Sequence, residues 1–256
     1  IGYLISGRSG LIIFLFFGIF SNIFAYLFGD KIALMMNGAK PLSKNESPQI
    51  FSITESLTSK MGLPMPKLYI SPNMQPNAFA TGKGPGNSSV CVTSGLVQML
   101  SKEEIEGVIA HELAHIKNRD VLIATVAAVI AGAISSIAQL GLFFGGGDRD
   151  RSPIVDLLIL ILAPISATLI QLAISRSREY EADATAAKYT QNPNGLANAL
   201  IKIDQASRQI PLQQGNPAMS SLYISNPFKG GGVTELFSTH PSTEKRVQRL
   251  MDQRMF

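Results

Sequence analysis

Residues 101–117 read Ser-Lys-Glu-Glu-Ile-Glu-Gly-Val-Ile-Ala-His-Glu-Leu-Ala-His-Ile-Lys. Ser101 and Glu104 form a capping box, each side chain taking the other residue's backbone N–H, so a helix is predicted to open here. Ile105, Val108 and Ile109 continue it at helical spacing. On it lies His111-Glu-Leu-Ala-His115, an H-E-x-x-H pattern that takes in two of the chain's three histidines. Side chains four apart sit about 40° from one another on a helix, so both imidazoles share a face, while Glu112 is turned about 100° from His111. Two imidazoles so placed fill two corners of a zinc tetrahedron, and Glu112 reaches a water there without being a ligand. The bland alternative is two histidines on a solvated helix face.

A catalytic zinc takes three protein ligands and keeps its fourth position open. The metzincin continuation is absent, because Asn118 and Val121 stand where its Gly and third His would be. His240 is too distant in sequence to be assigned by spacing. The better candidate is Glu179, in Ser175-Arg-Ser-Arg-Glu-Tyr-Glu-Ala-Asp-Ala184, with Asp183 one helical turn on. Glu179 then serves as third ligand, and Asp183 accepts a hydrogen bond from a ligating imidazole. The same stretch also reads as an ordinary charged face, since Glu181 and basic neighbours share it.

The rest of the chain is unusually apolar. Of 256 residues, 46% are hydrophobic and only 16% charged, against roughly 25% charged in an ordinary soluble domain. The mean hydropathy of +0.20 agrees. The low charge excludes disorder, and the single Cys91 excludes a disulfide scaffold. A net charge of +4 from scattered basic residues makes nucleic acid a poor partner. The excess is clustered in Leu11 to Phe28 (18 residues, uncharged), Val121 to Phe144 (24, uncharged) and Ile154 to Ile174 (21, with Asp156 alone charged). A bilayer core needs about 20 apolar residues in a helix, so three spans are expected, the last two as a hairpin. The domain plan is therefore a membrane segment at 1–29, a first catalytic part at 30–120, the hairpin at 121–174 and a second catalytic part at 175–256. Since the chain begins without Met, an earlier segment is expected to have been removed.

The hairpin gives the chain order a geometric reason. His115 lies six residues before Val121, and Glu179 five after Ile174. At 1.5 Å per residue both lie within about 10 Å of one membrane face. The charges of Lys102, Glu103, Glu104, Lys117, Arg119 and Asp120 keep the site beside the bilayer and not in it. Elsewhere Pro48 to Met61 reads as an amphipathic helix. Lys67 to Ile70, Ala78 to Thr81 and Ser89 to Thr93 read as strands, the last two joined by a turn over Gly82–Asn87. The polar stretch Gln205 to Thr234 reads as a mobile loop, and Cys91 as a strand core residue.

The set His111-Glu-Leu-Ala-His115, two spans, Glu179-Tyr-x-Ala-Asp183, then Ser238-Thr-His-Pro241 with Arg246, resembles the HtpX family of membrane zinc proteases, relatives of the CAAX prenyl proteases. The resemblance covers nearly the whole chain. It implies an α+β, mainly helical fold, a zincin-like (gluzincin) catalytic domain with a small β-sheet merged with transmembrane helices. It implies one Zn2+ held by His111, His115 and Glu179, with Glu112 as base and Asp183 beside the ligands. It also implies His240 as a helper to the transition state, Arg246 as a buried or active-site support, and Asn77-Ala78-Phe79 as the strand lining the substrate cleft. The expected substrates are unfolded or misfolded proteins at a bacterial inner (plasma) membrane, cleaved on the cytoplasmic side. The competing readings are a processing protease for a lipidated or membrane substrate and a metal-binding membrane protein without hydrolytic activity. Such proteins usually have two spans before the catalytic part, and only one is complete here, which suggests truncation or a shorter variant.

Lys31, Lys40, Lys44, Lys117, Arg119, Arg176 and Arg178 cluster at one side of the spans, while Arg149 and Arg151 in the link each stand beside an Asp. By the positive-inside rule that side is cytoplasmic. A reporter enzyme fused after Asp150 is expected to behave as extracytoplasmic; cytoplasmic activity of that fusion would overturn the topology.

Overall fold

The computed structural model describes residues 2–127, 130, 153–209, 224 and 240–252. In chain order they form α1 (Gly2–Met36), β1 (Lys40–Pro41), α2 (Pro48–Met61), β2 (Lys67–Ser71), β3 (Ala78–Gly84), β4 (Asn87–Thr93), α3 (Ser94–Met99), α4 (Lys102–Lys117), α5 (Pro153–Thr190), α6 (Pro193–Gln209) and α7 (Thr243–Asp252). Residues 120–127 are helical as well.

Local signals set several ends. The capping box is complete: Ser101 Oγ accepts the Glu104 N–H at 3.3 Å, and Glu104 Oε2 accepts the Ser101 N–H at 2.8 Å. α2 opens with Pro48 in its first turn and closes on Gly62, whose φ of 67° is left-handed. α4 does not run on into the apolar stretch as its sequence suggests. It stops at Asn118, Arg119 takes φ 56°, and the Arg119 carbonyl starts a new helix by accepting from Leu122 and Ile123.

The sheet has the order β1-β2-β4-β3, with β2 and β4 parallel and the other pairs antiparallel. β4 thus inserts between its two predecessors and leaves β3 on the outside. The ladder of β3 and β4 extends into the expected Gly82–Asn87 turn, so that only Pro85 and Gly86 turn the chain. Gly82 allows this: its φ is 129°, and a Cβ there would lie 2.2 Å from the Asn87 carbonyl oxygen.

α4 is buried on nearly every side, between β3 and α2 on one flank and α5 and α6 on the other. Ile105, Val108, Ile109 and Leu113 join Leu57, Val90, Val92, Leu96, Leu196 and Leu200 in one core. Cys91 packs apart from it with Ala33 and Phe79, and burial pushes its thiol up to about 12. At the crossing of α4 and α6 the backbones nearly touch. A Cβ on Gly107 would lie 2.5 Å from the Leu196 nitrogen, and one on Gly195 would lie 2.5 Å from the Glu103 carbonyl oxygen.

Among the described residues, no helix is long and apolar enough to cross a membrane. Residues 128–129 and 131–152 lie outside that set, and with them most of the stretch 121–144 and of the link to Pro153. α5 carries without a break through 174–175, so the third apolar stretch and the Glu179 element share one helix. The reading of 205–234 as a loop needs correction at its start, because 205–209 complete α6. It needs correction at Ile224 also, which is buried; the remainder, 210–223 and 225–234, lies outside the described residues.

Gly107→Ala is expected to push α4 from α6 and cost about 1–3 kcal/mol, the usual range for overpacking. A thermal midpoint equal to that of the wild type would show that the two backbones do not meet there.

Candidate metal centre

His111 and His115 project from the middle and end of α4 with their Nε2 atoms 3.0 Å apart and their rings edge to face. α5 brings Glu179 to the same point. Its Oε2 lies 3.6 Å from His111 Nε2, and its Oε1 lies 3.7 Å from His115 Nε2. Among the described residues these three form a group of metal-ligand type, with donor atoms all within 4.8 Å of one another. Tetrahedral zinc with nitrogen and oxygen ligands at about 2.0–2.2 Å separates its donors by roughly 3.3 Å. The observed gaps straddle that edge length, and Glu179 Oε2 is buried without a hydrogen-bond partner. Two imidazoles and a carboxylate, converging and buried, fit a divalent cation of the zinc type.

Behind each imidazole stands another carboxylate. His111 Nδ1 is 3.0 Å from Asp183 Oδ1, and His115 Nδ1 is 2.5 Å from Asp120 Oδ2. Arg246, from the first turns of α7, grips Asp183 by Nε to Oδ2 at 2.8 Å and Nη2 to Oδ1 at 2.6 Å. Its Nη1 donates to the Ile224 carbonyl at 2.8 Å and lies 3.3 Å from Glu179 Oε2. The Arg246 side chain is thus buried in a nest of acceptors, not displayed on a basic helix. α7 is further seated by Arg249 stacked 3.8 Å over the Tyr180 ring and by Thr243 donating to Asp204.

These contacts decide the charges. Burial alone would raise the Glu179 carboxyl, but His240, Arg246 and His115 outweigh it and hold it well below the carboxylate range. Burial likewise opposes ionisation of Asp183, and Arg246 with His111 reverses that. For His115, burial disfavours the cation, while Asp120, Glu179 and Glu112 favour it and lift the imidazole to about 9. The pocket is electrostatically arranged to hold positive charge between imidazoles and carboxylates.

A cavity of about 460 Å³ opens on this group. Glu112 and His240 face it with the three cluster residues, and His240 Nδ1 is 3.3 Å from Glu179 Oε1. Ala78, Phe79 and Ala80 of β3 line one side, and Val121, Ala124 and Leu172 line another. Asn77 stands apart from the cavity: it is buried, and its Oδ1 accepts the Ile224 N–H at 3.0 Å. Three participants escaped the sequence reading. In the sequence Asp120 reads only as one of the charges flanking the helix, and Arg178 as a basic neighbour of Glu179 and a charge at the cytoplasmic end of a span. Ile224, pinned by Asn77 and Arg246, carries no local signal at all.

The family model for peptidase family M48 matches residues 44–254. A protein named "Protease HtpX homolog" from Pelotomaculum thermopropionicum is 52% identical over 98% of this chain and 92% of its own length. Proteins of the same name from Pyrococcus abyssi (52% identical, 98% of this chain and 89% of that protein) and Aquifex aeolicus (51%, 98% and 87%) are similar to the same extent. Among solved structures, the crystal structure of S. mikatae Ste24p matches with a TM-score of 0.60 at 22% identity. That match covers 97% of this chain, which spans 60% of the Ste24p chain, and it speaks to the fold alone.

Arg246→Leu leaves the Asp183 and Glu179 carboxylates buried without their shared guanidinium. The expected loss is about 3–5 kcal/mol, read as a lowered thermal midpoint of the detergent-solubilised protein. Arg246→Lys, which keeps the charge but not the two-pronged geometry, should fall between.

Proposed function

Because the chain belongs to peptidase family M48 and is a metalloprotease, we propose that it is a membrane-anchored zinc endopeptidase that cuts unfolded or misfolded protein segments. The observation that carries this reading is the grouping of His111, His115 and Glu179 with Glu112 in one cavity edged by an outer strand. His111, His115 and Glu179 are the residues that would hold the ion. Bound zinc supplies Lewis acidity, lowering the pKa of water towards about 7 and polarising a carbonyl. Glu112 takes the proton of the attacking water and returns it to the leaving amine. His240 donates to the oxyanion as it develops, an interaction worth about 10²-fold in rate. An extended substrate adds to the outer edge of β3 by backbone hydrogen bonds, which select for unfolded chain more than for sequence.

Anchoring is supported by where the apolar surface lies. Ile12, Phe16, Ile130, Leu162 and Ile170 are all at least half exposed, and each falls in one of the three uncharged or nearly uncharged stretches. With the basic residues on the catalytic side, the cavity faces the cytoplasm at the plasma membrane, a position suited to quality control of membrane proteins. The apolar wall of Val121, Ala124 and Leu172 favours one other reading, a processing protease for lipidated peptides. Preference for a prenylated peptide over casein would put that reading first.

Casein cleavage by the detergent-purified protein, loaded with one zinc equivalent, should fall at least about 10²-fold in Glu112→Gln with zinc retained. Equal cleavage by both would expose a contaminant, and no cleavage by either would leave a metal-binding membrane protein.

A further inference from the structure

The two imidazoles of the cluster have matching surroundings. His111 Nδ1 meets Asp183, which is held by Arg246; His115 Nδ1 meets Asp120, whose Oδ1 is 3.0 Å from Arg178 Nη2. We infer that Asp120 positions His115 for the metal and that Arg178 positions Asp120, a second imidazole–carboxylate–guanidinium chain parallel to the first. The inference rests on the metal-binding reading above.

A carboxylate at Nδ1 keeps the proton on that nitrogen and turns the Nε2 lone pair towards Glu179, the orientation a ligand needs. His115 needs this brace more than His111 does. The His111 side chain is 1% exposed and fixed by packing, whereas that of His115 is 20% exposed on the cavity wall. Asp120 is itself buried, so its charge requires a partner, and Arg178 supplies one.

The chains differ in how firmly they are anchored. The Arg246 guanidinium is spread over Asp183, the Ile224 carbonyl and Glu179. That of Arg178 reaches Asp120, and its Nη1 is buried with no hydrogen-bond partner. The second chain also joins three pieces of backbone: His115 on α4, Asp120 at the start of helical residues 120–127, and Arg178 next to Glu179 on α5. Two ligands on different helices are thereby tied by one ion pair, so the position of His115 depends on how 120–127 sits against α5.

The test is zinc affinity of the full chain in detergent, measured by competition with a fluorescent chelator, with far-UV circular dichroism as the check on folding. Asp120→Ala should bind about 10–100-fold more weakly. Asp120→Asn should fall between, because the amide oxygen still accepts from Nδ1. Arg178→Met should weaken binding in the same direction, and adding it to Asp120→Ala should weaken it no further. At saturating Co2+ the visible absorption bands of Asp120→Ala should shift, which a purely structural role would not produce. Affinity within twofold of the wild type, unshifted cobalt bands or additive losses would each overturn the assignment. If Asp120→Ala does not fold, Asp120→Asn and Arg178→Met decide the matter. A wild type that takes up neither zinc nor cobalt overturns the metal reading and this inference with it; a wild type that binds while the variants bind equally well overturns this inference alone.

Discussion

Burying charge is the constraint around which this fold is arranged. Glu112, Asp120, Glu179 and Asp183 are all buried within reach of two imidazoles, and burying carboxylates so closely together is costly unless each is paired or hydrogen-bonded. Each partner comes from a different element: Arg178 from α5, Arg246 from α7, the imidazoles from α4. The core of leucine, isoleucine and valine around α4 supplies the stability from which that desolvation is met. The close crossing at Gly107 and Gly195 sets α4 directly against α6 along the turns that precede His111.

Arg246 is where the parts of the chain converge. Through one guanidinium, α7 touches Asp183 and Glu179 on α5 and the carbonyl of Ile224, whose N–H is taken by Asn77 just before β3. The strand edge that flanks the cavity and the carboxylate at its floor are therefore held by the same group. A side chain so placed does structural and electrostatic work at once, and the two cannot be separated by deleting it.

What the sequence made legible was local. The Ser101 capping box, α2 with its Pro and Gly ends, and the apolar strands β2 and β4 each carry their signal within a few residues. β1 does not: Lys40 and Pro41 are a strand only because Ile70 and Tyr69 pair with them. The parallel match of β2 with β4 is equally silent. At the site, helical spacing brought the two histidines together and put Asp183 on the face of Glu179. Asp120 could not be found that way, because α4 ends before it and the left-handed turn at Arg119 carries it back to His115, with neither Gly nor Pro to mark the break. Arg246 is charged and lies in a polar helix, and its counter-ion is 63 residues away, so its burial was visible only as a family trait.

The asymmetry between the two imidazoles follows from the need for access. A cavity must reach the cluster from somewhere, and here both rings line it, with the His115 side chain 20% exposed and that of His111 only 1% exposed. Packing cannot orient a ring that has solvent on one flank, so a directed contact must do it, and the Asp120 carboxylate does. That carboxylate stands at the head of residues 120–127, the backbone that also contributes Val121 and Ala124 to the cavity. The wall that meets a substrate and the brace that aims a ligand are consequently one piece of chain, and displacement of the first is felt by the second.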